Sequence, residues 1–314
     1  MKKTFTTYNG KDIYFDVIVD ETFHNLALDE VDPNKKALFS LVNDYEGGAW
    51  RLKKFESFLW DNIKETALSA TEKEALIGSE HSSLTKSAGN VRFEKKGDNK
   101  GGEIGEILLY GIMRHYYSAL PVVPKIFYKQ NVNDYAKGAD SVHIIIEEDG
   151  SYSFWLGEAK FYNTSDKSRF DTILASVKCM LDSSKLRKEF NIVTSTKDLE
   201  LLVNNKEILG EIQKTLEDGV SLDDIKKRLH IPILLLHECE ITKNHVGSFN
   251  EYKKAIKQEH LKIAQEFIKK QDTKLGDIYG YSDICFHFIL FPVHSKDIIL
   301  NRFMGKVDFL KKGE

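Results

Sequence analysis

WLGEAKFY, residues 155–162, decides how this chain is read. Aromatic and aliphatic residues in an unbroken run without proline make it a β-strand. Side chains two apart on a strand project from the same face. Glu158 and Lys160 therefore share one face of an otherwise apolar strand. Burying either charge without a partner is costly, so packing alone does not explain the pair. The acid-x-lysine tripeptide by itself carries little. It starts at Glu94, Asp98, Glu158, Asp224, Glu251 and Asp272, and only the copy at Glu158 lies inside an apolar strand. The others fall in polar loops or on charged helices, where a solvated face accounts for them.

One element back, GADSVHIIIE (138–147) reads as a second strand, joined to the first through Glu148, Asp149 and Gly150. A two-residue Asp-Gly turn would set Asp140 opposite Ala159. A three-residue loop with Gly150 in the left-handed region shifts the register by one. Glu147 then faces Ser151 and Asp140 faces Glu158, and this is the register expected. Directly opposed Cβ atoms lie about 4.5–5.5 Å apart, close enough for two carboxylates to share one cation. Carboxylates held that close repel unless a proton or a metal sits between them. Hard oxygen donors suit Mg2+ or Mn2+. Lys160 would donate to an attacking water or to charge growing on a phosphate.

A third acid comes from upstream. GGEIGEILLYGIMRHYYSAL (101–120) places Ile104, Ile107, Leu108, Met113 and Tyr116 at helical spacing, and Pro121 closes the helix. Glu106 lies on this helix, and the sheet-packed face could deliver either it or a neighbouring acid to the metal. Glu103, three residues earlier on the same face, competes for the role.

The rest of the chain frames this centre. Residues 1–20 alternate weakly and read as two short strands. Residues 35–78 read as helical, beginning with KKALFSLVNDY, and 79–102 reads as a polar, glycine-rich loop. This divides the chain into a helix-rich N-terminal part, 1–95, packed on a core spanning 96–314. VVPKIFYKQN reads as a strand with an irregular start. Helices are expected over 166–186, 196–217, 221–229, 249–271 and 296–311, and strands over 231–240 and 284–292. Helix, three strands, helix and a later strand make a mixed sheet flanked by helices.

The pattern of helix glutamate, Gly-Ala-Asp at the head of a strand and Glu-x-Lys in the next resembles the PD-(D/E)xK nuclease superfamily. Over GGEIGEILLYGIM (101–113), KGADSVHI (137–144) and WLGEAKFY (155–162) it is similar to the HamA family, nuclease subunits of the Hachiman anti-phage defence system. Elsewhere the likeness rests on length and element order. The resemblance implies an α/β fold with a restriction-endonuclease-like core, a central mixed sheet and extra helices at both ends. It implies DNA cleavage with Mg2+ or Mn2+, held by Asp140 and Glu158, with Glu106 as the helix acid and the Ala159 carbonyl as a further ligand. Lys160 would position the nucleophilic water, and Arg169 or Lys178 on the following helix would contact phosphate. It also implies a helicase partner, HamB-like, that controls or targets the nuclease. Alanine precedes Asp140 where the superfamily motif has proline, a small departure.

Bulk properties agree. The chain has 314 residues, 41% hydrophobic and 30% charged, with a net charge of −3. A whole-chain attraction to nucleic acid is excluded, so DNA must be met by a local patch or brought by a partner. Cys179, Cys239 and Cys285 are scattered, which fits a reducing cytoplasm rather than a disulfide framework. The apolar runs IPILLL (231–236) and ICFHFILFPV (284–293) are at most half the roughly 20 residues of a membrane helix. No GxxxxGK[ST] loop is present, so the chain does not read as an ATPase. His143, His237, Cys239 and His287 read as packed residues, and His115, Tyr116 and Tyr117 as helix-end packing. The lysines of 249–271 are interleaved with glutamates and read as an exposed face. Two other readings remain: a restriction-like endonuclease acting alone, and a non-catalytic module that keeps a nuclease fold to bind a helicase.

Overall fold

The computed structural model describes residues 7–8, 11–12, 14–26, 35–92, 101–129, 138–195, 197–217 and 219–312. Its centre is a seven-stranded mixed sheet. The strands are β1 (Asp16–Thr22), β2 (Lys36–Val42), β3 (Leu120–Val123), β4 (Ser141–Ile146), β5 (Tyr152–Tyr162), β6 (Leu229–Glu238) and β7 (Cys285–Val293). Their order across the sheet is β1-β2-β7-β6-β5-β4-β3. The four central strands, β2, β7, β6 and β5, run parallel. β1 at one edge, and β4 and β3 at the other, run antiparallel to their neighbours.

Parallel strands are buried on both faces and read as continuous apolar runs. IPILLL behaves this way: Ile231, Ile233 and Leu235 enter one core, Leu234 and Leu236 the other. One face is covered by α1 (Leu52–Ala67), α2 (Glu80–Asn90), α3 (Gly102–Tyr117) and α7 (Lys296–Lys312). α4 (Lys167–Met180), α5 (Ser183–Ser195) and α6 (Phe249–Leu275) cover the other. The α/β fold with its central mixed sheet is as expected. Among the described residues no helix is long and apolar enough to cross a membrane.

Three local expectations are corrected. KKALFSLV, read as helical, forms β2 and pairs with β7. A short apolar run fits either state, and pairing with a strand distant in sequence decides it. SEHSSLTKSAGN, read as a loop, forms α2. Its buried positions are Ser83, Ser87 and Ala88, small residues that let helices approach but leave no hydrophobic stripe to read. VVPKIFYKQN holds β3 and then a short helix, Lys125–Tyr128, entered at Pro124. Proline's fixed φ suits a helix start. The expected boundary at 95/96 lies outside the described residues, as does Lys137.

Candidate active site

The register of the β4–β5 hairpin places the site. Gly150 has φ +83°, and the Glu147 N–H donates to the Ser151 carbonyl at 2.8 Å. Ser141 lies opposite Gly157, and the Asp140 N–H donates to the Gly157 carbonyl at 2.8 Å. Asp140 thus faces Glu158, in the three-residue-loop register. Its Oδ2 also accepts from the Ala159 N–H at 3.0 Å, which fixes the carboxylate over the strand.

Along β5 the faces alternate. Trp155, Ala159 and Phe161 pack into the core beneath α3, while Phe154, Leu156 and Tyr162 pack into the core on the α4 side. Glu158 and Lys160 share that second face, and Ser176 on α4 hydrogen-bonds the Glu158 carboxylate. Gly105 rides directly over Ala159, where an added Cβ would lie 3.5 Å from the alanine Cβ. That close approach brings the next residue, Glu106, to the strand end from the opposite layer.

Two lysines link the acids. Lys160 Nζ lies 2.5 Å from Glu158 Oε1 and 3.7 Å from Asp140 Oδ2. Lys129 Nζ lies 2.5 Å from Glu106 Oε1 and 4.0 Å from Asp140 Oδ1. The result is a line of alternating charge: Glu106, Lys129, Asp140, Lys160, Glu158. Glu158 and Glu106 form its floor, at 1% and 5% exposure. Asp140 and Lys160, each 19% exposed, and Lys129, at 37%, form its mouth.

Burial, reinforced by the Asp140 charge, pushes the Glu158 carboxyl up to about 7, although Lys160 pulls against it. Burial also raises Glu106, with Lys129 opposing. Both lysines would lose protons more easily for being buried, but the carboxylates outweigh this and hold them above the ordinary lysine range.

Of the residues expected at the site, Asp140, Glu158, Lys160 and Glu106 come together. The Ala159 backbone is in the cluster through its N–H. Glu103 acts on Lys129 more weakly than Glu106 does. Arg169 stands 4.7 Å over the Tyr162 ring, one strand repeat beyond Lys160. Lys178 is not brought to the site: its ammonium is 2.9 Å from Asp277 and 3.2 Å from the Lys274 carbonyl. Lys129 and Ser176 were not foreseen. Lys129 was visible only as part of a segment misread as strand, and Ser176 carries no motif. His143 packs against the Tyr110 ring at 4.5 Å, away from the cluster. His287 stacks beside Trp155 and His230, and His237 is buried.

The donor chemistry fits a hard divalent cation. Three carboxylates outnumber two lysines, and Glu106 Oε2 is buried without a hydrogen-bond partner. The oxygens are not gathered on one point, since the lysines stand between them. Among the described residues no group of three or more His, Cys, Asp or Glu side chains is close enough to hold a metal. Binding Mg2+ or Mn2+ would require an ammonium to swing aside, and Lys129, the more exposed, is the one with room to move.

No curated protein and no solved structure matches the chain. The HamA family model matches residues 12–307, which include every element of the sheet and of this site. The chain belongs to the HamA family, proteins of Hachiman anti-phage defence.

Proposed function

We propose that this chain is a metal-dependent deoxyribonuclease, the effector of its defence system, working in the cytoplasm under a HamB-like helicase partner. One observation carries the reading: Asp140 faces Glu158 across the hairpin, with Lys160 on the same face at the open end of the cluster. A structural salt bridge needs one acid and one base. Three acids and two bases at a partly open strand end, with one acid raised to about 7, are poised for chemistry.

Asp140, Glu158 and Glu106, with the Ala159 carbonyl, would hold Mg2+ or Mn2+. When bound, the cation acidifies a water and neutralises charge on the scissile phosphate. Asp140 Oδ2 is held by the Ala159 N–H, while Oδ1 lies on the Lys129 side, 4.0 Å from its Nζ. Lys160 keeps its proton throughout the neutral range. It orients the nucleophilic water and stabilises negative charge developing on the phosphate. Arg169, held over Tyr162, supplies a phosphate contact beside the cluster. The net charge of −3 gives the chain little general affinity for DNA, so a helicase that holds the strand supplies the substrate.

The test is incubation with supercoiled plasmid and linear duplex DNA, in Mg2+, Mn2+ or EDTA, with and without the helicase and ATP. Metal-dependent cleavage that disappears in Lys160→Ala supports the proposal. Cleavage by the chain alone at discrete sites would favour a restriction-like enzyme. No cleavage under any condition would favour a helicase-binding module.

A further inference from the structure

Two segments carry charged groups into the site from outside the β5 strand. One is the short helix Lys125–Tyr128, which ends at Lys129, whose N–H donates to the Lys125 carbonyl at 2.9 Å. The other is residues 138–140, which end at Asp140. A single side chain on α5 grips both. Glu189 Oε2 is 2.6 Å from Lys125 Nζ, and Glu189 Oε1 accepts from the Ala139 N–H at 3.2 Å.

The grip is fully buried, with Lys125 at 0% and Glu189 at 3% exposure. Gly138 makes room for it: a Cβ there would lie 1.9 Å from Glu189 Oε1. A buried ion pair is a poor source of stability, because an apolar pair of similar volume often does as well or better. What an apolar pair lacks is an acceptor for the Ala139 N–H and a fixed direction for Lys125.

We propose that Glu189, paired with Lys125, is a positioning residue that sets Asp140 and Lys129 in register with Glu158 and Glu106. The inference rests on the nuclease reading of that cluster. Neither Glu189 nor Lys125 reaches the cluster itself. Each acts through one backbone segment, Glu189 through the residue before Asp140 and Lys125 through one turn of helix to Lys129. Groups that orient metal ligands from behind typically change metal affinity or activity about 10–100-fold when lost.

Two double variants separate positioning from stability. Lys125→Met/Glu189→Met removes both charges and the acceptor. Lys125→Met/Glu189→Gln removes both charges but keeps an acceptor for the Ala139 N–H. Mn2+ affinity is read by calorimetry without DNA, and amide hydrogen exchange is read over residues 139–146. The first double variant, which leaves the buried Ala139 N–H without an acceptor, is expected to melt below the second, to bind Mn2+ about 10-fold more weakly than the wild type and to exchange faster. The second is expected to stay within about 3-fold of wild-type affinity. Gly138→Ala, whose methyl would push the carboxylate off the Ala139 N–H, is expected to repeat the loss and serves if the first variant fails to fold. Wild-type Mn2+ affinity and exchange in the first double variant, or in Gly138→Ala, would overturn the inference alone. A wild-type chain that binds no Mn2+ would overturn it together with the nuclease reading.

Discussion

The Lys129 ammonium lies 2.5 Å from the Glu106 carboxylate, tying a helix in one layer to a segment that borders the β4–β5 hairpin. Removing it leaves a buried acid without its counter-ion and makes the cluster one charge more negative. Lys129→Met is therefore expected to lose about 2 kcal/mol of stability in EDTA. It should also show a larger rise in melting temperature on adding Mn2+ than the wild type does. Thermal melts with and without Mn2+ check this, and a rise no larger than the wild type's would count against it.

Glu158 sits at the floor of the cluster at a cost. Its carboxyl is raised to about 7, so the folded state holds a proton that the unfolded chain has already lost between about 4.5 and 7. The group thus opposes folding increasingly as pH rises through that window, and fully above it. Glu158→Gln at pH 8 is expected to end cleavage while stabilising the fold by on the order of 1–3 kcal/mol. Melting curves beside a plasmid assay decide the matter, and a lower melting temperature would contradict it.

Lys160→Ala and Asp140→Ala are expected to reduce cleavage by about 100-fold or more, with the circular-dichroism spectrum unchanged. Either variant cutting DNA at the wild-type rate would remove the catalytic assignment.

Gly157 stands directly opposite Ser141 in the hairpin, and a Cβ there would lie 2.2 Å from Ser141 Oγ and 2.8 Å from Leu109 Cδ2. Gly157→Ala must therefore displace the Ser141 and Leu109 side chains packed against it. A loss of about 1–3 kcal/mol is expected from overpacking. Urea titration would show it as a lower midpoint.

Burial holds His143 at about 3 and His237 at about 4, so both stay neutral in the folded protein. An unfolded histidine takes up a proton near 6.5, so each contributes stability that is present above that value and is lost as pH falls toward 4. By pH 5.5 each should have cost about 1.4 kcal/mol. Urea midpoints at pH 7.5 and 5.5 should fall accordingly, and His143→Phe should flatten the difference. A pH profile unchanged by that substitution would argue that His143 titrates elsewhere.

Much of the site could be read because its determinants are local. The Glu-Asp-Gly turn sets the register, the register sets Asp140 against Glu158, and strand alternation sets Lys160 beside them. Helical spacing offered Glu106 and Glu103 together and did not choose between them. What escaped depends on distance. β2 is a strand because β1 pairs with it on one side and β7, some 250 residues later, on the other. Lys129 was hidden by a proline that starts a helix where an irregular strand was expected. Glu189 and Lys125 are partners across 64 residues, and neither carries a motif. Lys178 was expected near DNA because of its helix, but its neighbours on α6 and beyond claim it first.

The placement of β2 has a consequence for synthesis. Its partners are β1 and β7, so the pair β1–β2 has an open flank until residues 285–293 have left the ribosome. The hairpin bearing Asp140 and Glu158 closes locally far sooner, and β6 joins it by residue 238. A nascent chain therefore carries its charged cluster before its sheet is complete, with β7's place beside β6 still vacant. Chains stopped before residue 285 would expose two unpaired apolar strand flanks, a template for aggregation and a signal for proteolysis. The late arrival of one strand would then send incomplete copies to degradation.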